Sequence, residues 1–501
     1  MNPLAAARIT TPGVDWLSIA PVAILGLTAV VIVLARSLIR KRPAAYPVAM
    51  AITVLGLGLA ALALLAQWRR FRVDGPYQSL SGMVAVDGFA AFIGLVVVFA
   101  TAMAVLLASR YLIRERLDGP EYLTLMLLSS AGMVAMASAN DLITVFVALE
   151  IVSIPLYVLA AFDRRRNASL EAGLKYFLLG AFASAVFLYG VALTYGATGS
   201  TNLTLIARFL ADNTLLDGGA LLVGLALMLV GLGFKVAAAP FQMWTPDVYE
   251  GAPTPVTAFM ASATKAAAFA ALLRLLYTGL GSSSADWRPI IWGLAVLSLL
   301  VGSIGAVVQT DVKRMLAYSS INHAGFILIG VEAASDRGLA SSLTYLAIYA
   351  FLALGSFAVV GLVTGRGDAD SALSRFRGLT QRRPALAYAF VLLLLAQAGV
   401  PLTAGFVAKF RVFAAAVAGE SYLLALIGML TAAIAAFVYL RIVLTMFLPV
   451  EEGEAAPPAP VRADPGTTIV IAVACALTVI VGVAPAALVH VAERATLLFR
   501  G

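Results

Sequence analysis

The stretch Gly233-Phe234-Lys235-Val236-Ala237-Ala238-Ala239-Pro240-Phe241-Gln242-Met243-Trp244-Thr245-Pro246-Asp247-Val248-Tyr249-Glu250-Gly251-Ala252-Pro253-Thr254-Pro255 decides how this chain is folded. It closes an apolar run that begins near residue 217, and its four prolines forbid a regular helix through it. A second interruption, Gly399-Val400-Pro401, resumes through Gly405-Phe406-Val407-Ala408-Lys409. Each interrupted segment holds a Gly-Phe pair, a nearby lysine and a proline, and the two lysines are 174 residues apart. Loose backbone at membrane depth survives only where protein or water satisfies it. Paired broken helices mark an internal repeat and, in secondary transporters, lie on the ion path.

The rest of the chain supplies the membrane. Of 501 residues 62% are hydrophobic and 12% charged, and mean hydropathy is +0.97. A soluble enzyme of this length would carry roughly a quarter charged residues, so the chain reads as an integral membrane protein. At about 20 apolar residues per crossing, it divides into about fourteen helices, from 16–36 to 467–492. The expected fold is all-α and polytopic, with two inverted five-helix repeats, helices four to eight and nine to thirteen, whose seventh and twelfth helices are discontinuous. The expected segments are residues 1–115, three N-terminal helices; 116–282 and 283–447, the repeats; and 448–501, a Pro-rich acidic linker (451–465) and the last helix. The first helix ends in the stop-transfer cluster Arg36, Arg40, Lys41, Arg42 and reads as retained.

Loops after odd-numbered helices carry most of the arginine, including Arg110, Arg114, Arg116, Arg164, Arg165 and Arg166. The positive-inside rule then places both termini on the non-cytoplasmic side. It also explains the formal charge of +8 as topology, with no nucleic-acid partner. One cysteine, Cys475, and two histidines, His323 and His490, exclude a disulfide within the chain, a cysteine-bound iron–sulfur cluster and a histidine cluster. There is no phosphate loop, no dinucleotide fingerprint and no ligand set for haem or metal.

Only six cations are lysine, against 28 arginines, and four of the six, Lys175, Lys235, Lys265 and Lys409, fall in apolar runs. Codon bias explains the scarcity but not the placement. A charge at mid-membrane costs at least about 2.5 to 3.5 kcal/mol, and lysine, unlike arginine, can release its proton when desolvated. Glu150, about ten residues into its helix, Lys235, Lys265 and Lys409 are therefore the candidates for ion movement. His323, some 170 residues after Glu150, would bridge Lys265 and Lys409. Glu171 and Lys175, one turn apart, suit an ion pair at a helix start as well as a transport role. Arg274 and Arg441 read as snorkelling or boundary residues, and His490 as interfacial.

The run from Gly233 through Pro253 resembles the proton-conducting signature of the antiporter-like subunits of complex I and of Mrp sodium/proton antiporters, over nearly the whole chain. Leu170-Glu171-Ala172-Gly173-Leu174-Lys175-Tyr176-Phe177, the run Pro401 to Phe410 and a lysine in the twelfth helix resemble the subunit N type of NADH-quinone oxidoreductase. The D-type Mrp subunit is the alternative, and a structural scaffold with merely paired charges is a third. The resemblance implies that Glu150 modulates Lys235, that Lys265 is the connecting and Lys409 the exit-side lysine, and that Gln242 stands where some members carry His. It also implies a bacterial inner membrane and partners of the M, J, K and A types. This chain itself would bind no cofactor, while FMN, iron–sulfur clusters, NADH and a quinone would be handled by other subunits.

Overall fold

The computed structural model describes residues 14–39, 42–213, 218–368, 370–450, 463–496 and 498. Helices α1 (Trp16–Leu38) and α2 (Arg42–Asp74) lead into an antiparallel hairpin, β1 (Tyr77–Ser79) and β2 (Val84–Val86), and then α3 (Gly88–Arg114). Next come α4 (Pro120–Ser138), α5 (Leu142–Ala160), α6 (Asn167–Thr198), a short amphipathic α7 (Leu203–Asp212) and α8 (Gly219–Val236). After the first break follow α9 (Thr245–Gly251), α10 (Thr254–Phe259) and α11 (Lys265–Arg274), the last two joined by a π-helical turn, Met260–Thr264. The second half contains α12 (Ser284–Val307), α13 (Val312–Glu332), α14 (Asp336–Val363), α15 (Leu379–Arg382), α16 (Pro384–Ala398), α17 (Ala404–Ala418) and α18 (Tyr422–Phe447); α19 (Pro465–Val483) and α20 (Ala486–Arg494) close the chain.

Twelve helical segments among the described residues are long and apolar enough to cross a membrane. Helix α13 falls short of that composition because Lys313, Arg314, Ser319, Ser320, Asn322 and His323 lie on it, and the remaining crossing is the broken pair α16–α17. Together they make the expected fourteen. The sequence reading missed the hairpin, α7 and the separation of α20 from α19. The prolines interrupt the helix as expected. Pro246 and Pro255 stand in the first turns of α9 and α10, where a missing N–H costs nothing, so the stretch is a string of short helices and not irregular chain. Arg40, Lys41, most of the 451–465 linker and both termini lie outside the described residues.

The two halves repeat contact by contact. Asp141 caps α5 and Asp311 caps α13. Leu142 N donates to Thr201 O and Val312 N to Ser371 O, both at 2.8 Å; Leu203 N donates to Asn140 O at 2.9 Å and Leu373 N to Thr310 O at 2.8 Å. The Thr201 and Ser371 hydroxyls donate to Asp141 and Asp311 respectively. One interval of 170 residues relates every pair. The equivalent helices are five crossings apart, an odd number, so they run in opposite directions.

Candidate functional site

Lys235 stands in the last turn of α8, two residues before the left-handed Ala237 (φ 60°), and is 4% exposed. The break beside it is closed by Trp244, whose indole N–H donates to Phe234 O at 3.0 Å. Lys235 Nζ donates to Ser153 Oγ at 2.7 Å and to Tyr176 Oη at 3.2 Å, and stands over the Tyr176 and Tyr157 rings. Glu150 lies one turn from Ser153 on the same helix. Its Oε1 is buried and, among the described residues, without a hydrogen-bond partner. Among the described residues no carboxylate is within 4 Å of Lys235, so its ammonium rests on the hydroxyl next to Glu150 and not on Glu150 itself.

Lys265 follows the π-helical turn directly and is 2% exposed. Its Nζ donates to Ser320 O at 2.6 Å and stands 5.5 Å from the centre of the Tyr349 ring. That ring lies 4.8 Å from the imidazole of His323. His323 Nδ1 is 2.6 Å from Tyr345 Oη and Nε2 is 3.2 Å from Tyr439 Oη. A hydroxyl both donates and accepts, so either tautomer is satisfied. Phe326 lies 6.2 Å from His323 ring to ring and 4.8 Å from Lys409 Nζ. Lys409 donates to Ala398 O at 2.8 Å, a carbonyl at the end of α16 that the helix break leaves without its helical donor. Ring contacts thus link Lys265 to His323 through Tyr349, and His323 to Lys409 through Phe326.

The broken helices correspond, but their lysines do not. Lys235 stands two residues before its left-handed residue, whereas Lys409 stands ten residues after Gly399 (φ 93°), on the half-helix beyond the break. Counted back from the left-handed residue of each break, the position matching Lys235 is Gln397. Its Nε2 donates to Ser356 Oγ at 2.8 Å and its Oε1 accepts from Ser319 Oγ at 3.4 Å, and Ser319 is 2.5 Å from Tyr439. Sequence reading passed over this amide and these hydroxyls, because serine, glutamine and tyrosine in an apolar helix are ordinary one at a time.

Glu171 and Lys175 form their expected ion pair at 2.6 Å, and the network extends beyond it. Asp247 of α9 lies 2.5 Å from Lys175 and 2.8 Å from Arg314, which also reaches Glu250 at 2.7 Å. Lys175 is 40% exposed at its side chain, so it is not one of the buried lysines. Lys313, at the start of α13, takes that place: it is 1% exposed and donates to the carbonyls of Glu250 and Ala252. Nearby, Asp368 Oδ2 accepts from Thr254 N at 2.8 Å and Tyr111 Oη at 2.9 Å. Burial pushes its carboxyl up, but Lys313, Arg166 and the Thr254 N–H outweigh this and hold it below the usual carboxylate range.

Arg274 does not snorkel. It is fully buried, forms two hydrogen bonds with Asp87 at 2.8 and 2.9 Å and two with Ala137 O. An arginine near a helix end looks interfacial in sequence; only the packing of α3 against α11 reveals its partner. Arg441 donates to Val307 O and Gln309 O, carbonyls at the end of α12.

Residues 139–435 match the family model described as NADH:quinone oxidoreductase/Mrp antiporter, TM. The chain is 49% identical over 400 residues to NADH-quinone oxidoreductase subunit N of Mycobacteroides abscessus, a match covering 77% of this chain and 73% of the relative. It is similar to a chain of respiratory complex I from Thermus thermophilus, with 36% identity, TM-score 0.79 and coverage of 94% and 98%. A chain of the Mrp complex from Dietzia sp. shares the fold at TM-score 0.84 but only 21% identity, with coverage of 96% and 97%.

Proposed function

Since this chain belongs to the NADH:quinone oxidoreductase/Mrp antiporter family, in its NADH-quinone oxidoreductase subunit N group, we propose that Glu150, Lys235, Lys265, His323 and Lys409 carry its protons. It is a proton-translocating membrane-arm subunit of NADH-quinone oxidoreductase; the relay, the partners and the membrane orientation are our reading. The observation that carries the relay is the company of the three lysines. Lys235, Lys265 and Lys409 are 2% to 5% exposed, and among the described residues each is hydrogen-bonded to neutral oxygen alone. Arg274, fixed for structural reasons, is paired with a carboxylate, and Lys313, also buried and held by carbonyls, lies at the start of α13 within reach of the Asp368 charge. Ammonium groups held by hydroxyls and carbonyls can give their protons up without leaving a carboxylate bare.

In this mechanism Lys235 has two resting places one helical turn apart. Beside ionised Glu150 its proton is held, since an opposite charge within about 4 to 6 Å favours the charged form. On Ser153 that support is weaker and the proton passes toward Lys265. From there it moves past Tyr349 to His323, between two tyrosine hydroxyls, and on to Lys409. Gln242 carries no ionisable group, so the step runs through Lys265 directly or by water. Redox chemistry in the other subunits, which would hold the FMN, iron–sulfur clusters and quinone site, drives the exchange between Ser153 and Glu150. M-type and small J, K and A-type subunits are the partners we expect, in a bacterial inner membrane with both termini on the non-cytoplasmic side. Within this group, 49% identity to a subunit N favours complex I over an Mrp assembly.

Coupled NADH oxidation and proton pumping in membrane vesicles test the relay. Lys235→Ala, Glu150→Ala and Lys265→Arg should each depress both rates while the complex assembles. The arginine variant is the sharper one, because it keeps the charge and cannot release the proton. Full pumping by Lys265→Arg would end the relay proposal, and loss of the complex with every variant would favour a scaffold.

A further inference from the structure

At the arginine-rich end of the molecule, an open cleft of about 1230 Å³ lies between the end of α1, the loop from Arg116 to Glu121, the end of α5 and the start of α6. Its floor is apolar. Ile154, Val158, Leu170, Leu174 and Phe177 line it and are 43% to 59% exposed. Its rim carries Arg36, Arg116, Arg164 and Arg165, with the carboxylates Asp118, Glu121 and Asp163. Arg165 is committed, paired with Asp163 at 2.9 Å and donating to Glu115 O at 2.7 Å. Among the described residues Arg36, Arg116 and Arg164 have no carboxylate within 4 Å, nor do Asp118 and Glu121 an ammonium or guanidinium.

We propose that this cleft holds one glycerophospholipid, its phosphodiester among Arg36, Arg116 and Arg164 and its acyl chains along Ile154, Val158, Leu174 and Phe177. Among the described residues, these three guanidinium groups without a carboxylate, against two carboxylates without a cation, leave one positive charge, which one phosphodiester neutralises; Arg36 otherwise donates only to Ile39 O at 3.3 Å. The guanidinium fork also matches phosphate oxygens in geometry. A water-soluble phosphate would leave five large apolar side chains exposed, whereas acyl chains cover them and continue into the bilayer. Asp118 and Glu121 sit where a headgroup amine or hydroxyl would donate. Tyr157 also lines the cleft, and its ring faces Lys235 Nζ at 5.9 Å, so the lipid would steady a wall of the relay. That consequence rests on the relay reading; the binding does not.

The test uses the intact complex, purified and exchanged through detergent, with tightly bound phospholipid counted by native mass spectrometry. Wild type should retain one more phospholipid than either the triple variant Arg36→Gln/Arg116→Gln/Arg164→Gln or Leu174→Trp, which fills the floor and keeps the charges. Adding back phosphatidylethanolamine or phosphatidylglycerol should raise the melting temperature of delipidated wild type, while a glycolipid with the same acyl chains and no phosphate should not. A photo-crosslinking residue at Val158 reads the occupant without disturbing the rim and should capture phospholipid. Equal lipid counts in wild type and both variants, or capture of a neighbouring subunit at Val158, would overturn the proposal. Pumping is not the readout, so failure of the relay leaves this result standing.

Discussion

Arg274 and the three relay lysines, all buried, are separated by their partners. Arg274 is fixed by Asp87 through two charge-assisted hydrogen bonds with both side chains fully buried. Removing one member of such a pair strands the other charge, at a cost of about 3 to 5 kcal/mol. Arg274→Met should therefore lower the melting temperature or block assembly, and Asp87→Leu combined with Arg274→Met should recover most of the loss. If the double variant is no better than the single one, the pair is not what makes Arg274 necessary. Lys235, Lys265 and Lys409 are held instead by neutral atoms, and their loss should show in pumping before it shows in stability.

The breaks are what the helices contribute. Each turns the chain through a left-handed residue, Ala237 in the first half and Gly399 in the second. An alanine already tolerates that conformation at 237, but at 399 a Cβ would lie 3.0 Å from Lys409 Cδ and 3.5 Å from Nζ. Gly399→Ala adds the left-handed cost of about 1 to 2 kcal/mol and crowds the ammonium that Ala398 O receives. We expect reduced pumping with a modest fall in thermal stability. Unchanged pumping would show that Lys409 reaches its carbonyl with room to spare. The π-helical turn before Lys265 belongs to the same account, since such insertions re-aim a side chain within a helix.

Across the whole molecule, Asp368 joins three segments: Tyr111 from the N-terminal helices, Thr254 after the first break, and its own position after α14. Its carboxyl is held below the ordinary value of 3.8. A depressed carboxyl contributes stability that is complete above that value and is lost as pH falls through the lower folded one. Asp368→Asn removes this contribution at neutral pH, about 1 to 3 kcal/mol for the hydrogen bonds of a buried charged acceptor, and should weaken the acid dependence of unfolding below about pH 4. Equal melting temperatures of variant and wild type at pH 7 would rule this role out.

The sequence alone determined the number of crossings, the two breaks and the lysines at them, because bilayer thickness and proline chemistry act locally and leave their mark in runs of residues. It also singled out Glu150, Lys265 and His323, since an ionisable group in an apolar run is conspicuous without a fold. Tertiary structure decided the partners. That Lys235 rests on Ser153, that His323 sits between Tyr345 and Tyr439, that Lys313 is buried while Lys175 is not, and that Arg274 meets Asp87 all depend on residues from 22 to 187 positions apart. Only helix packing brings such residues within hydrogen-bonding distance, and no local pattern in the chain records which ones will meet.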